Sequence, residues 1–167
     1  MTDDLRLHPV RDDHLPVFFA HEQDPEATWM AAFGPENPAD RDAFDAFWRR
    51  IRTDARIVCR TAVVGDEVVG HVLAFPVEER TEVSYWIDPA RWGRGHATAA
   101  LAALLRELPQ RPVHARAAKD NRASLAVLRK CGFVVVGEDA GYANGRGAEV
   151  PEWVLELPGD DRELGDH

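Results

Sequence analysis

The spacing of hydrophobic residues in the first third of the chain predicts one strand and two amphipathic helices. Residues 6–9 have the pattern of a short strand. Apolar side chains then recur every three or four positions, as they do on the buried face of a helix, and the first helix carries them at Leu15, Phe18 and Phe19. The second helix carries them along one face, at Phe44, Phe47, Trp48 and Ile51.

The stretch between these helices, residues 23–39, is rich in proline and predicts an irregular connection. Asn37 followed by Pro38 has the chemistry of a helix N-cap and a first helical position, so we expect the second helix to begin there. The same stretch contains three large apolar side chains, Trp29, Met30 and Phe33. They are candidates either for the wall of a binding site or for packing over the edge of a sheet.

Further along, apolar runs bounded by glycine and proline predict six more strands and two more helices. The strands are expected at 56–64, 67–75, 81–87, 112–118, 133–137 and 149–157, and the helices at 95–107 and 121–131. Gly65–Asp66 has the chemistry of a hairpin turn. Gly132 can supply the left-handed end of the last helix, with Phe133 folding back on Leu128 as a Schellman motif requires.

This order of elements predicts an α+β fold. Most neighbouring strands are joined as antiparallel hairpins, and one β-α-β crossover runs through the helix at 95–107. We therefore expect a mixed, mostly antiparallel central sheet of about seven strands, flanked by about four helices. A single domain over residues 1–158 accounts for the whole pattern. The acidic tail at 159–167 is expected to be disordered.

Composition and charge narrow the functional classes. The 167 residues are 45% hydrophobic and 29% charged, as in soluble globular proteins. Neither a signal peptide nor a membrane span is recognisable, so we expect a cytoplasmic protein with no membrane partner. The net charge of −9 argues against a nucleic-acid partner and favours a cationic substrate such as an amine. Cys59 and Cys131 form no C-x-x-C pair and predict neither a disulfide framework nor a zinc site.

The segment YWIDPARWGRGHATAALAALL, residues 85–105, carries the sharpest chemical signal. A strand ends at Ile87, a short loop contains Gly93 and Gly95, and an amphipathic helix begins at once. Glycines in such a loop let the backbone approach a ligand and turn successive N–H groups outward. The free N–H groups and the positive dipole end of the helix attract anions. With the Thr98 hydroxyl and the Arg94 charge beside them, these groups predict a phosphate site.

Two common phosphate motifs do not fit this segment. No P-loop string G-x-x-x-x-G-K-[ST] occurs, and the Rossmann fingerprint fails because Thr98 stands where its third glycine belongs. A helix whose start is glycine-rich by coincidence is the structural alternative. A second segment, KDNRASLAVLRKCGF at 119–133, places Asn121 and Ser124 at the start of a short helix. Taken alone, Asn121 there is an ordinary N-cap.

Together the two segments resemble the GNAT superfamily of N-acetyltransferases. The acetyl-coenzyme A motif of that family is written Q/R-x-x-G-x-G/A, and residues 92–97, WGRGHA, occupy its six places, with Trp92 in the Q/R place. The run YWI–WGRGHAT, and the pattern N-x-x-S-x-x-V-L-x-K-x-G-F that begins at Asn121, are most similar to the RimJ/RimL-type branch. The resemblance covers residues 56–157.

The resemblance implies acetyl-CoA as the cosubstrate and suggests how it is held. The coenzyme A pyrophosphate should lie on the backbone N–H groups of Gly93, Arg94, Gly95, Ala97 and Thr98. His96 either joins this contact or packs under the loop. The pantetheine arm should pair with the strand edge at Tyr85, Trp86 and Ile87, and the acetyl group should lie where this strand splays from the next one. Asn121 should bond the pantetheine, and Ser124 should lie near the thioester sulfur.

The family's reaction is the direct attack of a neutral amine on the thioester, without a metal. Deprotonating a lysine-like amine near pH 7.4 costs about 4 kcal/mol, whereas a protein α-amine costs well under about 1 kcal/mol, so a base matters most for the first substrate. Glu82 shares a strand face with Ser84 and Trp86 and is the candidate base, directly or through water. An ordinary solvent-facing strand glutamate is the alternative.

The acid for the departing thiolate is less well defined. Many family members use a Tyr on the last helix, but here that place is Leu128. Ser124 is the nearest replacement in the sequence and Tyr142 a poorer one, although a coenzyme A thiolate leaves readily without an acid. The missing Tyr also favours a competing interpretation, in which the fold binds acyl-CoA as a sensor or scaffold without turnover.

The acceptor is expected between the first two helices and the C-terminal hairpin, as a small-molecule amine or a peptide N-terminus. Its candidate lining is Trp29, Met30, Phe33, Tyr142 and Asn144. No histidines have metal-ligand spacing, and His71 and His114 are expected in strands. Cys131 is expected to pack ahead of the Gly132 turn rather than to act as a nucleophile. The family resemblance leaves a homodimer open.

Overall fold

The computed structural model describes residues 4–159, in which one sheet is flanked by helices on both faces. The strands are β1 (Leu5–Pro9), β2 (Val58–Val64), β3 (Glu67–Val77), β4 (Arg80–Ile87), β5 (Val113–Ala118), β6 (Val134–Ala143) and β7 (Ala148–Leu157). The helices are α1 (Leu15–His21), α2 (Pro25–Ala31), α3 (Arg41–Thr53), α4 (His96–Glu107) and α5 (Arg122–Lys130). Short 3-10 turns at Asp12–His14 and Pro89–Arg91 precede α1 and α4.

The sheet has the strand order β1-β2-β3-β4-β5-β7-β6. Neighbouring strands are antiparallel except β4 and β5, which are parallel and are joined by the crossover through α4. The predicted α+β class, the seven strands and the single crossover are therefore confirmed. Nearly all of the predicted acidic tail, residues 160–167, lies outside the described part of the chain.

Each face of the sheet has its own core. On one face, α4 and α5 cover an aliphatic cluster that includes Leu101, Leu104 and Leu128. On the other face, α1 and α3 bring together an aromatic cluster built on Phe18 and Trp48, whose ring centroids are 5.1 Å apart. The apolar stripe predicted for α3 is confirmed at Phe44, Trp48 and Ile51, which are buried, whereas Phe47 stays exposed at the edge of a cleft.

The region 23–39 differs from the irregular connection that we expected, because it contains the helix α2. Asp24 is the N-cap of α2 and accepts a hydrogen bond from the Ala27 N–H at 2.9 Å, and Pro25 occupies the first turn. Asn37–Pro38 does not start α3. Asn37 instead accepts from the Ala39 N–H within a turn, and Asp40 is the N-cap of α3, accepting from the Ala43 N–H at 3.0 Å. The predicted start of this helix at Asn37–Pro38 is therefore wrong, and the cap followed by proline occurs instead at Asp24–Pro25, at the start of α2.

The end of α5 has the predicted Schellman geometry. Gly132 has φ +98°, the Phe133 N–H donates to the Leu128 carbonyl at 3.0 Å, and the Gly132 N–H donates to Arg129 at the same distance. The β6 strand is longer than expected and continues to Ala143. It lies at the sheet edge and pairs only with β7, so its outward side chains need no apolar character and the sequence pattern fades. Within residues 4–159, no helix is long and apolar enough to cross a membrane.

Candidate active site

A gap between β4 and β5 opens the sheet at its centre. Within the described chain, the two strands pair only at Thr81–Val113 and Glu82–His114. Residues 83–87 of β4 therefore have no ladder partner on the side that faces β5. A cavity of about 1050 Å³ occupies the gap and continues across the sheet to α1, α2 and α3. Its walls include Tyr85, Trp86 and Ile87 of the free strand edge, as the sequence predicted.

The loop after β4 presents the start of α4 to one end of this cavity. Gly93 and Gly95 both have φ +81°, a left-handed conformation that favours glycine, and Gly95 is the N-cap of α4. Because the N-cap residue Gly95 has no side chain, no side-chain cap closes the N-terminus of α4. The Trp92 indole N–H donates to the Ile87 carbonyl at 3.0 Å and fixes the loop to the end of β4. The geometry is that of an anion site.

The predicted loop residues do not all face the cavity in the same way. Gly93, Gly95, Ala97 and Thr98 line it, together with the buried His96. The side chain of Arg94 is exposed and does not form part of the wall. The basic side chains in the wall near this end are instead Arg91, which pairs with Glu67, and Lys130 of α5. These two residues were missed from the sequence because neither belongs to the glycine-rich motif.

The cavity becomes acidic on the other side of the gap. Glu82 of β4 and Glu152 of β7 are each 6% exposed and line the wall with Arg116 of β5. The Arg116 guanidinium lies 2.8 Å from Glu152, 2.8 Å from Asp139 and 3.5 Å from Glu82. Hydrogen bonds to Asp139 and then Glu152 hold the pKa of Arg116 above its ordinary value. Three carboxylates thus surround one guanidinium, leaving an excess of negative charge.

Of this cluster, the sequence identified Glu82 alone. Arg116 and Glu152 lie on strands that were predicted, but the order of the strands in the sheet was needed to place them beside Glu82. In antiparallel ladders, directly paired residues share a face. The pairing of Ala118 with Glu152 and of Glu152 with Asp139 therefore puts both acids on the face that carries Arg116.

A further carboxylate, Glu22, lies in the wall at the end of α1. Among the described residues its side chain makes no hydrogen bond or ion pair, and burial raises its pKa to about 7. His71 also lies in the wall, but it packs between the Phe18 and Trp48 rings at 4.8 and 4.9 Å. Burial lowers the His71 pKa to about 3, so the ring is neutral and belongs to the core, as expected for a strand residue.

Two residues of α5 reach the cavity from the opposite side. Ser124 lies in the first turn of α5, and its hydroxyl oxygen accepts a hydrogen bond from the Tyr85 hydroxyl at 2.9 Å. Asn121 is the N-cap: its side-chain oxygen accepts from the Ser124 N–H at 3.1 Å and its side-chain nitrogen donates to the Met30 carbonyl at 3.0 Å. Asn121 therefore has a structural role and also retains one amide hydrogen for a ligand.

The alternative acid, Tyr142, is not brought to the site. It is 66% exposed and does not line the cavity, and the buried Leu128 occupies the place of the family's usual Tyr. Cys131 is half-buried, and burial raises its pKa, so it stays a thiol. Its Sγ lies 3.7 Å from the Thr98 carbonyl, where it packs α5 against α4. Among residues 4–159 no three His, Cys, Asp or Glu side chains are grouped as a metal site requires.

Of the five residues expected to line the acceptor site, two lie in the wall of the cavity. Met30 and Phe33 line the cavity, whereas Trp29, Tyr142 and Asn144 do not. Trp29 and Asn144 instead join α2 to the β6–β7 turn. The Arg146 guanidinium stacks 4.4 Å from the Trp29 ring centroid, donates to the Trp29 carbonyl and bonds Asp120 at 2.7 Å. These contacts fix α2, and with it the wall that Met30 and Phe33 supply.

Comparison with known proteins supports the family resemblance. Residues 4–134 match the family model described as the Acetyltransferase (GNAT) domain. Curated proteins give no match to the sequence. Among solved structures, the microcin C7 self-immunity acetyltransferase MccE, in complex with acetyl-CoA and AMP, superposes with a TM-score of 0.80 at 15% identity, over 93% of both chains.

Two other solved structures have similar folds. RimL, a ribosomal L7/L12 α-N-protein acetyltransferase in complex with coenzyme A, has a TM-score of 0.75 at 20% identity, over 90% of this chain and 92% of RimL. Spermidine N-acetyltransferase from Vibrio cholerae, in complex with CoA and spermine, has a TM-score of 0.75 at 16% identity, over 92% of this chain and 95% of the other. The family model spans most of the sequence, and the fold agrees with it. The chain therefore belongs to the GNAT family of acetyltransferases.

Proposed function

We propose that this protein transfers an acetyl group from acetyl-CoA to an amine, in the cavity between β4 and β5. One observation carries the proposal: a single cavity joins the uncapped start of α4 to a cluster of buried carboxylates on the far side of the gap. A phosphate-bearing donor suits the first end and a cationic acceptor suits the second. The thioester carbonyl would lie between them.

The donor end has the groups that coenzyme A requires. The backbone N–H groups of residues 93–98 are proposed to hold the pyrophosphate, with Arg91 and Lys130 supplying positive charge nearby. The pantetheine arm would pair with β4 from Tyr85 to Ile87, because β5 does not pair with that part of the strand. The remaining amide hydrogen of Asn121 would bond the same arm.

The acceptor end favours a positively charged amine. Glu82 and Glu152 lie in its wall, and the single guanidinium of Arg116 offsets only part of the charge of these two carboxylates and Asp139. Both RimL and the spermidine acetyltransferase are named for amines, a protein α-amine in one case and a polyamine in the other. The acceptor of this chain is proposed to be one of these two kinds, a small-molecule amine or a protein N-terminus.

The proposed reaction needs only the residues in the wall. Glu82, directly or through water, takes one proton from the bound ammonium group, and the lone pair of the neutral amine then attacks the thioester carbonyl carbon. The second proton that the nitrogen loses in becoming an amide passes to solvent water. The carbon–nitrogen bond forms, the carbon–sulfur bond breaks, and its electron pair leaves with the coenzyme A sulfur. Ser124 lies on the α5 side of the gap, where the sulfur is proposed to depart.

Thiol release with a panel of amines tests this function. Each amine is mixed with acetyl-CoA and the wild-type protein, and free coenzyme A is followed with a thiol reagent. The Glu82→Gln variant should release thiol at least about tenfold more slowly, a loss typical of a removed general base. Glu149→Gln is the matched control, since Glu149 is exposed and makes no side-chain bond within the described chain. Tight acetyl-CoA binding without release for any amine would contradict the proposal and leave a binding module.

A further inference from the structure

The hydrogen bond between Tyr85 and Ser124 joins the β4 and α5 walls of the cavity proposed to bind acetyl-CoA. Tyr85 lies on β4 and Ser124 on α5, and both line the cavity. The Tyr85 hydroxyl donates to the Ser124 oxygen at 2.9 Å. The sequence assigned each residue a separate contact with coenzyme A and gave no reason to connect them. The structure connects them directly.

The direction of this bond determines what the serine can do. A hydroxyl has one proton to donate and can accept two. The 2.9 Å contact joins two hydroxyls, and the phenol, being much the more acidic, is the better donor, so we assign the proton in this bond to Tyr85 and leave the Ser124 proton to point elsewhere. Within residues 4–159, the Ser124 hydroxyl donates to no protein acceptor, and the Asn121 side chain is occupied with the Ser124 backbone N–H. The serine proton is therefore left for a ligand in the cavity.

Tyr85 is suited to hold this arrangement. Its ring packs against the aliphatic core under α4 and α5, which restricts the position of the hydroxyl. Burial raises the Tyr85 pKa above its ordinary value, so the hydroxyl keeps its proton and remains a donor. Val127 and Leu128 add aliphatic groups to the α5 side of the cavity beside Ser124.

We infer that Tyr85 is a positioning residue for Ser124: by donating to the serine oxygen, it turns the serine proton toward the coenzyme A sulfur. As the carbon–sulfur bond breaks, its electron pair passes to the sulfur, which leaves as a thiolate that accepts a hydrogen bond from Ser124. No proton moves to the serine or the tyrosine in this step. The inference rests on the proposed function, since it needs coenzyme A in the cavity.

A double-mutant cycle tests the coupling. Tyr85→Phe keeps the ring and removes the hydroxyl, and we expect it to lower kcat about tenfold while the KM for acetyl-CoA changes little. Ser124→Ala should lower kcat by at least as much. Because Tyr85 acts through Ser124, adding Tyr85→Phe to Ser124→Ala should cost nothing further. Unchanged kcat in Tyr85→Phe, or full additivity in the double variant, would overturn the inference.

Tyr142→Phe is the control for loss of a phenolic hydroxyl, because Tyr142 is the only other tyrosine and the structure places it outside the cavity. It should match wild type in kcat and KM. Thermal unfolding of each variant separates a folding defect from a catalytic one. A Tyr85→Phe protein that melts like wild type but has a reduced kcat retains the positioning role.

A second measurement does not depend on turnover. The thiol of bound coenzyme A is titrated through its ultraviolet thiolate absorbance, against the same variant without ligand. The Ser124 hydrogen bond should lower the thiol pKa in wild type, and both Tyr85→Phe and Ser124→Ala should raise it by a similar amount. If wild type binds coenzyme A and shows this pattern but acetylates no amine, the proposed function fails and the inference stands. Equal thiol pKa values in all variants, or no coenzyme A binding, would reject the inference.

Discussion

The Arg116 guanidinium reaches across the gap between the strands to Glu82, with 3.5 Å from Nε to Oε1. The same group bonds Glu152 and Asp139 at 2.8 Å each. This cation therefore compensates the two carboxylates that are nearly buried in the cavity wall, Glu82 and Glu152. It also joins β5 to β7 and β6 at the point where the ladder between β4 and β5 ends.

Removing that cation should destabilise the fold more than an ordinary surface substitution would. Arg116→Met leaves Glu82 and Glu152 buried without a partner, so we expect a loss of about 3 kcal/mol in the free energy of unfolding. Denaturant unfolding of the purified variant measures the loss. Arg56→Met provides the control, since Arg56 pairs with Asp54 alone at the surface and should cost less than about 1 kcal/mol. Equal losses of unfolding free energy in the two variants would contradict the role of Arg116 as the cation that compensates Glu82 and Glu152.

Glu22 should make stability depend on pH in a defined window. Burial raises its folded pKa from 4.5 to about 7, so between these values the folded protein holds a proton that the unfolded chain has released. Stability therefore falls as the pH rises through the window. Glu22→Gln stays neutral at every pH. Above about pH 7 its free energy of unfolding should exceed that of wild type by about 1–2 kcal/mol, a value reduced for the partial exposure of the carboxylate.

The same two proteins should be nearly equal in stability below the window, where Glu22 is protonated in both states. Chemical unfolding at several pH values makes the comparison, with Glu149→Gln as the exposed control. If the plots of unfolding free energy against pH run parallel for wild type and Glu22→Gln, burial does not raise the pKa of Glu22 and the prediction is contradicted.

The wall that carries Met30 and Phe33 should depend on Arg146. Arg146→Met removes the bonds to Asp120 and to the Trp29 carbonyl, so that, among the described residues, only the bonds from Asn144 to Gly34 and from Gly145 to Ala32 still join the α2 region to the β6–β7 turn. We expect the KM for the amine to rise by about fivefold to tenfold while the KM for acetyl-CoA stays within about twofold, because α2 lies on the acceptor side. Steady-state kinetics with each substrate varied in turn distinguish the two. A rise in the KM for acetyl-CoA alone would show that α2 borders the acetyl-CoA site and would contradict its placement beside the amine.

The glycine loop permits a matched pair of variants. Gly95 and Gly65 both have positive φ, at +81° and +62°, so valine at either position costs backbone strain. Gly95 forms part of the cavity wall, whereas Gly65 lies in the β2–β3 turn. Gly95→Val should abolish acetyl-CoA binding, and Gly65→Val should lower stability while preserving binding. Calorimetric titration of each variant with acetyl-CoA tests this difference. If both variants lose acetyl-CoA binding, backbone strain explains the loss and the role assigned to Gly95 in the cavity wall is contradicted.

Much of the fold could be predicted because its strands and helices have strong local patterns. The two linked motifs indicated the family, and the Gly132 ending was predicted down to the contact between Phe133 and Leu128. The helix α2 was missed because Ala27 is the one buried residue among its seven, so the helix has no large apolar face to show a period. Its start signature, Asp24–Pro25, was recognised only in the similar pair at Asn37.

The site could be predicted only where one motif contains it. The loop at Gly93 and Gly95 is contiguous in the sequence, so its chemistry follows from spacing. The acidic cluster is assembled from Glu82, Arg116 and Glu152, which lie on three different strands. Their meeting depends on strand order and on the gap beside β4, which local patterns do not encode. Tyr85 and Ser124 are 39 positions apart in the sequence, and their hydrogen bond likewise depends on how the fold places α5 beside β4.

Calorimetric titration of the wild-type protein with acetyl-CoA, beside ATP and NAD, tests the central claim most directly. The claim is that the loop from Gly93 to Thr98 and the free edge of β4 together form a coenzyme A site. Binding of acetyl-CoA in the micromolar range, with ATP and NAD at least about a hundredfold weaker, is the predicted result, because only coenzyme A carries both the pyrophosphate and the pantetheine arm. No binding of acetyl-CoA, or tighter binding of ATP or NAD, would contradict the claim.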